Sequence, residues 1–565
     1  MYITLVCFFI ISFIFAVFGE ILVFYFAPNE QKSYSIFENF FIGLCIAGAI
    51  LNIWSIFLPT DVWSFLFLFL TALILFYFYY KNSFDSLKGL FFLLKSEKLF
   101  TVLIVIATFI VLTYAIVTPR LYDSYLYHIN AIQWNEFYRA VPGLANFHDR
   151  FGFNSSIHVL SACFSFSALY NQYIFTISSL SFLVFFYWLL QKIYFKKGFV
   201  GLFSLTFLYY FIQQYALDIS SPGTDLLPNI IIGFVLLSIL FDHESLENKK
   251  IFYVILPLFC VTLKLSAFPI AFITIVALFR KNKGFWTQTK SLFGFGMFLL
   301  LPWLVKNVIL SGYLIYPIDQ LDLFHFDWKV SKQSIIEIKN LTLSFARIPF
   351  KDYHEVLKMP FNTWFSIWWD AALLKNKCFF VLASMTPLVY TYYYSFYKKE
   401  RNLAVLLIVC VAYLSFLLWV FTAPDFRFIF SFILFLALFP LLIFKKIIEK
   451  FKFTFNTILF LALIYSSFII GNTGYTLFSE DYKIKKVSEY IYLPKDVSEI
   501  KVRRNIQFNS VFFTTVKGKK IELFEPLLSH SQCYDKFPCS WYLNYHFNLR
   551  GENLQDGFTY KGFYP

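Results

Sequence analysis

The chain has 565 residues, of which 59% are hydrophobic, 23% aromatic and only 15% charged, where ordinary soluble domains carry about 25% charged residues. No water-soluble surface can be assembled from that composition, and disorder, collagen and disulfide-scaffold classes are excluded because apolar residues abound while Gly 20, Pro 19 and Cys 8 are modest for the length. A polytopic membrane protein remains, and its net charge of +14 then belongs to cytoplasmic loops and not to nucleic-acid binding.

A bilayer-crossing helix needs about 20 mostly apolar residues. About fourteen such segments follow one another, near 3–26, 38–58, 62–80, 99–117, 169–191, 198–216, 226–241, 250–263, 266–279, 291–310, 378–397, 403–421, 426–444 and 453–471. The first lacks a basic leading region and a small-residue cleavage site and contains Glu20, so it reads as a span and not a signal peptide. Alternate connections collect the lysines and arginines, from Lys81, Lys88, Lys95 and Lys98 through Lys192 and Lys196, Lys249 and Lys250, Arg280 and Lys290, and Lys398, Lys399 and Arg401 to Lys445 and Lys450. The positive-inside rule makes these cytoplasmic and puts the N-terminus outside. Three long pieces then lie outside, 118–168, 311–377 and a tail from about 472. The expected units are N-terminal spans 1–98, a transmembrane core 99–471 and an external domain 472–565.

Six cysteines lie in or beside apolar segments and read as small buried hydrophobes. Cys533 and Cys539 lie in the external tail, where an oxidising compartment permits a short-loop disulfide. In the same tail, Val511–Val516 and Ile521–Glu525 read as two strands around the turn Lys517-Gly-Lys-Lys520, after a charged helical stretch. A small α+β cap over the outer face is expected, acting as a lid or assembly surface or as a ligand-binding one.

The loop 118–168 is dense in chemistry that the rest of the chain avoids. Asp123, His128, Glu136, His148, Asp149, Arg150 and Asn154 fall within 32 residues. Asp123 follows the fourth span closely, placing a carboxylate at the outer membrane boundary, a position suited to a general base. Residues 124–138 carry aromatic and polar groups at helical spacing, which predicts an amphipathic helix lying in the interface, with Tyr127 one turn from Asp123. Other polar breaks fall at outer ends of spans: Asp218 and Asp225 around Ser-Ser-Pro-Gly-Thr, Lys264, Lys306 with Asn307, and Asp425 with Arg427. Singly each reads as a snorkelling cation or a turn acid; together they line an external cavity with carboxylates for proton chemistry and cations for an anion such as phosphate.

Asp123-Ser-Tyr-Leu-Tyr-His128 resembles the first-loop Asp-x-x-x-Tyr-His pattern of bacterial relatives of the C-type (GT-C) integral-membrane glycosyltransferases, a superfamily that includes protein O-mannosyltransferases and lipid A aminoarabinose transferases. Leu263-Lys-Leu-Ser-Ala-Phe-Pro269 is similar to their short turn between two helices. Pro302-Trp-Leu-Val-Lys-Asn307 with Ser311-Gly-Tyr-Leu-Ile-Tyr-Pro317 is similar to their Pro-Trp-x-x-Arg-Asn helix end. The matches run in family order from about 100 to 430, with Ser124 where many relatives carry a second acid and Lys306 in place of arginine. The whole chain, with its Cys-x5-Cys tail, also looks like a bacterial family of multispan membrane proteins.

The resemblance implies an all-α, GT-C-like membrane protein of about fourteen spans, with external juxtamembrane helices, that transfers a sugar from a polyprenyl-phosphate donor to a cell-envelope glycan, lipid or protein. It places the protein in the bacterial inner membrane with its site on the periplasmic face. Asp123 is then the base of an inverting transfer. Lys306, Arg427 and Arg150, backed by Lys264, balance the leaving phosphate. Tyr127, His128, Glu136, Asn307 and Asp425 position the substrates, and His148 and Asn154 bind sugar hydroxyls. The resemblance fixes no cofactor and leaves a divalent metal open, with Asp218 and Asp225 as its carboxylates. The other readings are a flippase or transporter of lipid-linked glycans, or a polymerase acting on them.

Overall fold

In a computed structural model the described residues are 1–450 apart from 84, 197, 280–284 and 397–401, followed in the tail by 492–494, 508–515, 517–527, 533, 536–540 and 547–560. The predicted span 453–471 and the charged stretch after 472 lie outside them.

The chain is mostly helical. Among the described residues seven helices are long and apolar enough to cross a membrane: Tyr2–Phe26 (α1), Ile36–Phe57 (α2), Val62–Tyr79, Lys98–Ala115, Ile177–Phe195, Leu292–Ser311 and Leu403–Phe421. Leu226–Phe241, Lys250–Leu263, Leu265–Leu278 and Phe426–Leu442 are apolar but shorter. The helix Leu226–Phe241 shows how a short segment is kept: every residue from Leu226 to Ile239 is buried, so its neighbours, not lipid, satisfy its apolar surface. Predicted segment 378–397 divides into Leu374–Ser384 and Thr386–Phe396.

The connections gather at two ends. At one, the Thr60 amide donates to the Asn135 carbonyl at 2.7 Å and the Arg120 amide to Ser221 Oγ at 3.1 Å, and Lys264 pairs with Asp225. This end holds the loops around 60, 120–165, 218–225, 264 and 425. At the other, Lys249 donates to Glu38 at 2.8 Å and the Tyr194 hydroxyl to Glu97 at 3.2 Å. Of the lysine-rich connections, the described stretches around Lys98, Lys192, Lys249 and Lys450 lie at this second end.

Helices α1 and α2 cross at backbone contact, where Glu20 and Asn39 are buried and hydrogen-bonded to each other. A Cβ on Gly43 would lie 1.7 Å from the Phe15 carbonyl oxygen, and one on Gly19 1.8 Å from that of Asn39. Small residues at such crossings let helices approach closely enough for dispersion to hold them. Gly43→Leu is therefore expected to cost at least about 1–3 kcal/mol through overpacking and to lower the melting temperature in detergent. Gly48→Ala should cost less, because its neighbour is the movable Phe259 ring. Equal melting shifts for the two variants would refute this account of the crossing.

The loop 118–168 does not lie flat in an interface. A π-helical turn, Ser124–His128, runs into the helix Ile129–Phe137, and nearly every residue from Ser124 to Glu136 is buried. The reason is that the tail covers it. Leu126, Tyr127, Trp134 and Phe147 share an apolar cluster with Ile521, Leu523, Phe547 and Phe558 of the tail, while Tyr125, Ile129 and Ile132 face Ala162 and Phe175.

In the tail, β1 (Phe508–Thr514) pairs antiparallel with β2 (Lys520–Pro526), as expected, and β3 (Phe547–Leu549) pairs with β4 (Phe558–Tyr560). Cys533 and Cys539 are disulfide-bonded. The Asn130 side chain spans this loop, donating to the Cys533 carbonyl and accepting from the Cys539 amide at 3.2 Å. Gly143, at φ +66°, permits the closest approach of loop and tail: a Cβ there would meet the Phe558 carbonyl oxygen at 2.1 Å. Of the six cysteines expected to be buried, Cys7, Cys45, Cys163 and Cys260 are, whereas Cys378 and Cys410 are exposed. The latter two lie on outward helix faces, which a bilayer would cover without burial in protein.

Candidate functional site

Four connections meet at the end that carries the loop 118–168. Asp123 stands between two guanidinium groups: Arg150 Nη1 is 3.5 Å from Oδ1 and Arg427 Nη1 is 3.4 Å from Oδ2. Arg427 Nε also donates to Asp425 Oδ2 at 2.7 Å and lies 4.0 Å from Asp225 Oδ2. Lys264 pairs with the other oxygen of Asp225 and sits 4.0 Å above the Phe428 ring. Arg150 covers the Tyr127 ring at 5.1 Å. Residues far apart in the sequence thus form one ion-pair network.

The local fold explains how each is held. Asp425 caps the helix Phe426–Leu438 by accepting from the Arg427 amide at 3.1 Å, and its carbonyl accepts from Trp419 Nε1 at 2.8 Å. Ile429 departs from helical geometry, so the Arg427 carbonyl is freed to accept from the Tyr215 hydroxyl at 2.9 Å and the Asn229 amide at 3.2 Å. Arg150 follows His148, whose Nδ1 accepts from the Arg150 amide at 3.1 Å at the start of a 3-10 turn. His148 therefore serves the loop's geometry.

Burial pushes the Tyr127 phenol up, and Asp123 pushes it further in the same direction. Burial likewise raises the Asp218 carboxyl well above its usual range, helped by Asp225. His128 goes the other way, lowered well below its ordinary range by burial first and then by Arg150, Lys264 and Arg427. Both its nitrogens are buried and without a hydrogen-bond partner. Because the folded state refuses a proton that the unfolded chain accepts near pH 6.5, stability present above that pH is lost as pH falls through it. The melting temperature should fall on going from about pH 7.5 to 5.5, and His128→Gln should reduce the fall; parallel curves would show that this imidazole does not contribute.

The remaining predicted residues separate from this network. Lys306 is buried in a second cavity, donating to Ser55 Oγ at 3.0 Å and Asn135 Oδ1 at 2.6 Å. Asn154 donates to the Trp303 carbonyl at 3.1 Å and Asn307 Oδ1 at 2.9 Å, and Asn307 donates to the Leu314 carbonyl at 3.1 Å. These two amides knit the loop to the helix Phe285–Ser311. Glu136 is taken up by Ser165 and Ser167 in a different pocket, where burial raises its carboxyl. Asp225 has its oxygens facing Lys264 and Arg427, and among the described residues no group of three or more His, Cys, Asp or Glu side chains converges as metal ligands.

His158 was not singled out in the sequence, where a lone histidine among apolar residues reads as core. It stands 5.3 Å from His128, ring to ring, and lines the Lys306 cavity with Trp134, Asn135 and Arg139. It thereby joins the two sites.

No curated protein and no solved structure matches this chain. A family model described as Domain of unknown function (DUF8201) matches residues 1–434, which contain both sites and stop short of the tail. The chain belongs to that family.

Proposed function

We propose that the protein is a membrane glycosyltransferase of GT-C type in a bacterial inner membrane, transferring a sugar from a polyprenyl-phosphate donor to a cell-envelope acceptor at the periplasmic face. The observation that carries this reading is Asp123, a partly exposed carboxylate held between Arg150 and Arg427 at the end opposite the lysine-rich connections, which the positive-inside rule makes cytoplasmic.

Asp123 takes the proton of an acceptor hydroxyl as that oxygen attacks the anomeric carbon. The bond from carbon to the phosphate oxygen breaks on the opposite side of the sugar, and polyprenyl phosphate leaves with the electron pair. Each guanidinium has five N–H donors, so Arg150 and Arg427 retain donors for the phosphate where its charge develops. Lys264 supports them from behind Asp225. Lys306 is set apart in its own cavity and is not assigned to this phosphate. His128, kept neutral, and Tyr127 border the acceptor side. Fixing both substrates at the membrane boundary supplies much of the acceleration through positioning.

Mass spectrometry of envelope glycans and polyprenyl-linked sugars from cells carrying wild-type or Asp123→Asn protein tests the reading. Accumulated donor together with a glycan lacking one sugar is expected; accumulation of a complete glycan on the cytoplasmic side would replace the transferase by a flippase.

A further inference from the structure

Joined to the ion-pair network through His128 and His158 is a partly open cavity of about 30 Å³, room for about two water molecules or one planar carboxylate group whose sugar ring stays at the mouth. Its described lining includes Lys306 and Arg139 and contains no aspartate or glutamate. Buried Lys306 meets only the neutral oxygens of Ser55 and Asn135. An ammonium group has three donors, so one is left over. Two further lining residues carry buried nitrogens without partners, Trp134 Nε1 and His158 Nε2. An indole N–H can only donate, and leaving it buried and unbonded is costly. A buried cation without a counter-ion is costlier still. A cavity whose lining gathers these unmet groups suits an anionic oxygen ligand.

We infer that this cavity binds an oxyanion, and that the oxyanion is the carboxylate of an acidic acceptor sugar. A cavity of about 30 Å³ admits a planar carboxylate group but not a tetrahedral phosphodiester that carries a sugar on one side and a lipid on the other. The network around Asp123 is the place left for the donor phosphate. Exposed Arg139, at the cavity lining, attracts the acid as it enters. The word acceptor rests on the transferase reading above; binding of the carboxylate does not.

The full-length protein in lipid nanodiscs, titrated calorimetrically with glucuronate, glucose and inorganic phosphate, tests this. Glucuronate is expected to bind at least about tenfold more tightly than glucose, and Lys306→Met to weaken it by about 10–100-fold, as loss of a charged hydrogen bond does. Lys306→Arg should restore most of the affinity. Arg139→Gln, at an exposed position, should weaken glucuronate severalfold. Phosphate binding more tightly than glucuronate, with the same dependence on Lys306, would overturn the acidic acceptor and give the pocket to the donor. Equal affinity for glucose and glucuronate, or no loss in Lys306→Met and Arg139→Gln, would overturn the oxyanion site. Lys306-dependent glucuronate binding in a protein that transfers no sugar would remove the transferase reading and leave the pocket standing.

Discussion

Asp123→Asn is expected to slow sugar transfer by about 10²–10⁴-fold, the range for removal of a positioned general base. The amide is nearly isosteric and can still accept from one guanidinium, so the protein should insert and fold as wild type does. What it loses is the capacity to take a proton. Because Arg150 and Arg427 both contact this carboxylate, the substitution also leaves the two cations with less opposing charge, and binding of the lipid-linked donor should be unchanged or tighter. A fall in turnover without a rise in KM for the donor distinguishes this from general damage to the site. Unaltered turnover would remove Asp123 from the chemistry.

The second large effect is at Arg427. This side chain contacts Asp123, Asp425 and Asp225, so Arg427→Ala leaves three carboxylates close together with one fewer cation. Removing a donor that stabilises developing charge costs about 10²–10³-fold in turnover, and transfer should fall at least that far. Lower thermal stability should accompany it, since partly buried like charges are left to repel. Arg427→Lys keeps the charge but loses the planar fork that reaches two carboxylates at once. It should recover stability better than activity. Full activity in Arg427→Ala would place the leaving group elsewhere.

The polar breaks between apolar segments carried much of the candidate site in the sequence. Asp123, Asp225, Lys264, Asp425 and Arg427 stand out because charge is scarce in this chain, and the alternation of lysine-rich loops already placed them at one end. What could not be read was partnership. Nothing in the local sequence of Lys306 announces that its neighbours are Ser55 and Asn135, which come from segments about 250 and 170 residues away. The amphipathic pattern of residues 124–138 was visible, but its covering surface lies some 400 residues later, as in the Asn130 contacts to Cys533 and Cys539. A helix expected to rest on lipid therefore proved to be sandwiched in protein. Short buried helices such as Leu226–Phe241 are ambiguous for a related reason: their hydropathy is that of a span, while their length is set by the helices around them.

The proposed transfer breaks a bond to a lipid-linked phosphate beside Asp123. The most direct measurement supplies purified protein in nanodiscs with a radiolabelled polyprenyl-phosphate sugar and an acidic sugar acceptor, then follows both labelled species in a single turnover. The account predicts stoichiometric release of polyprenyl phosphate with transfer of the sugar in inverted anomeric configuration, lost in Asp123→Asn. Donor that stays intact while it equilibrates between leaflets would contradict it.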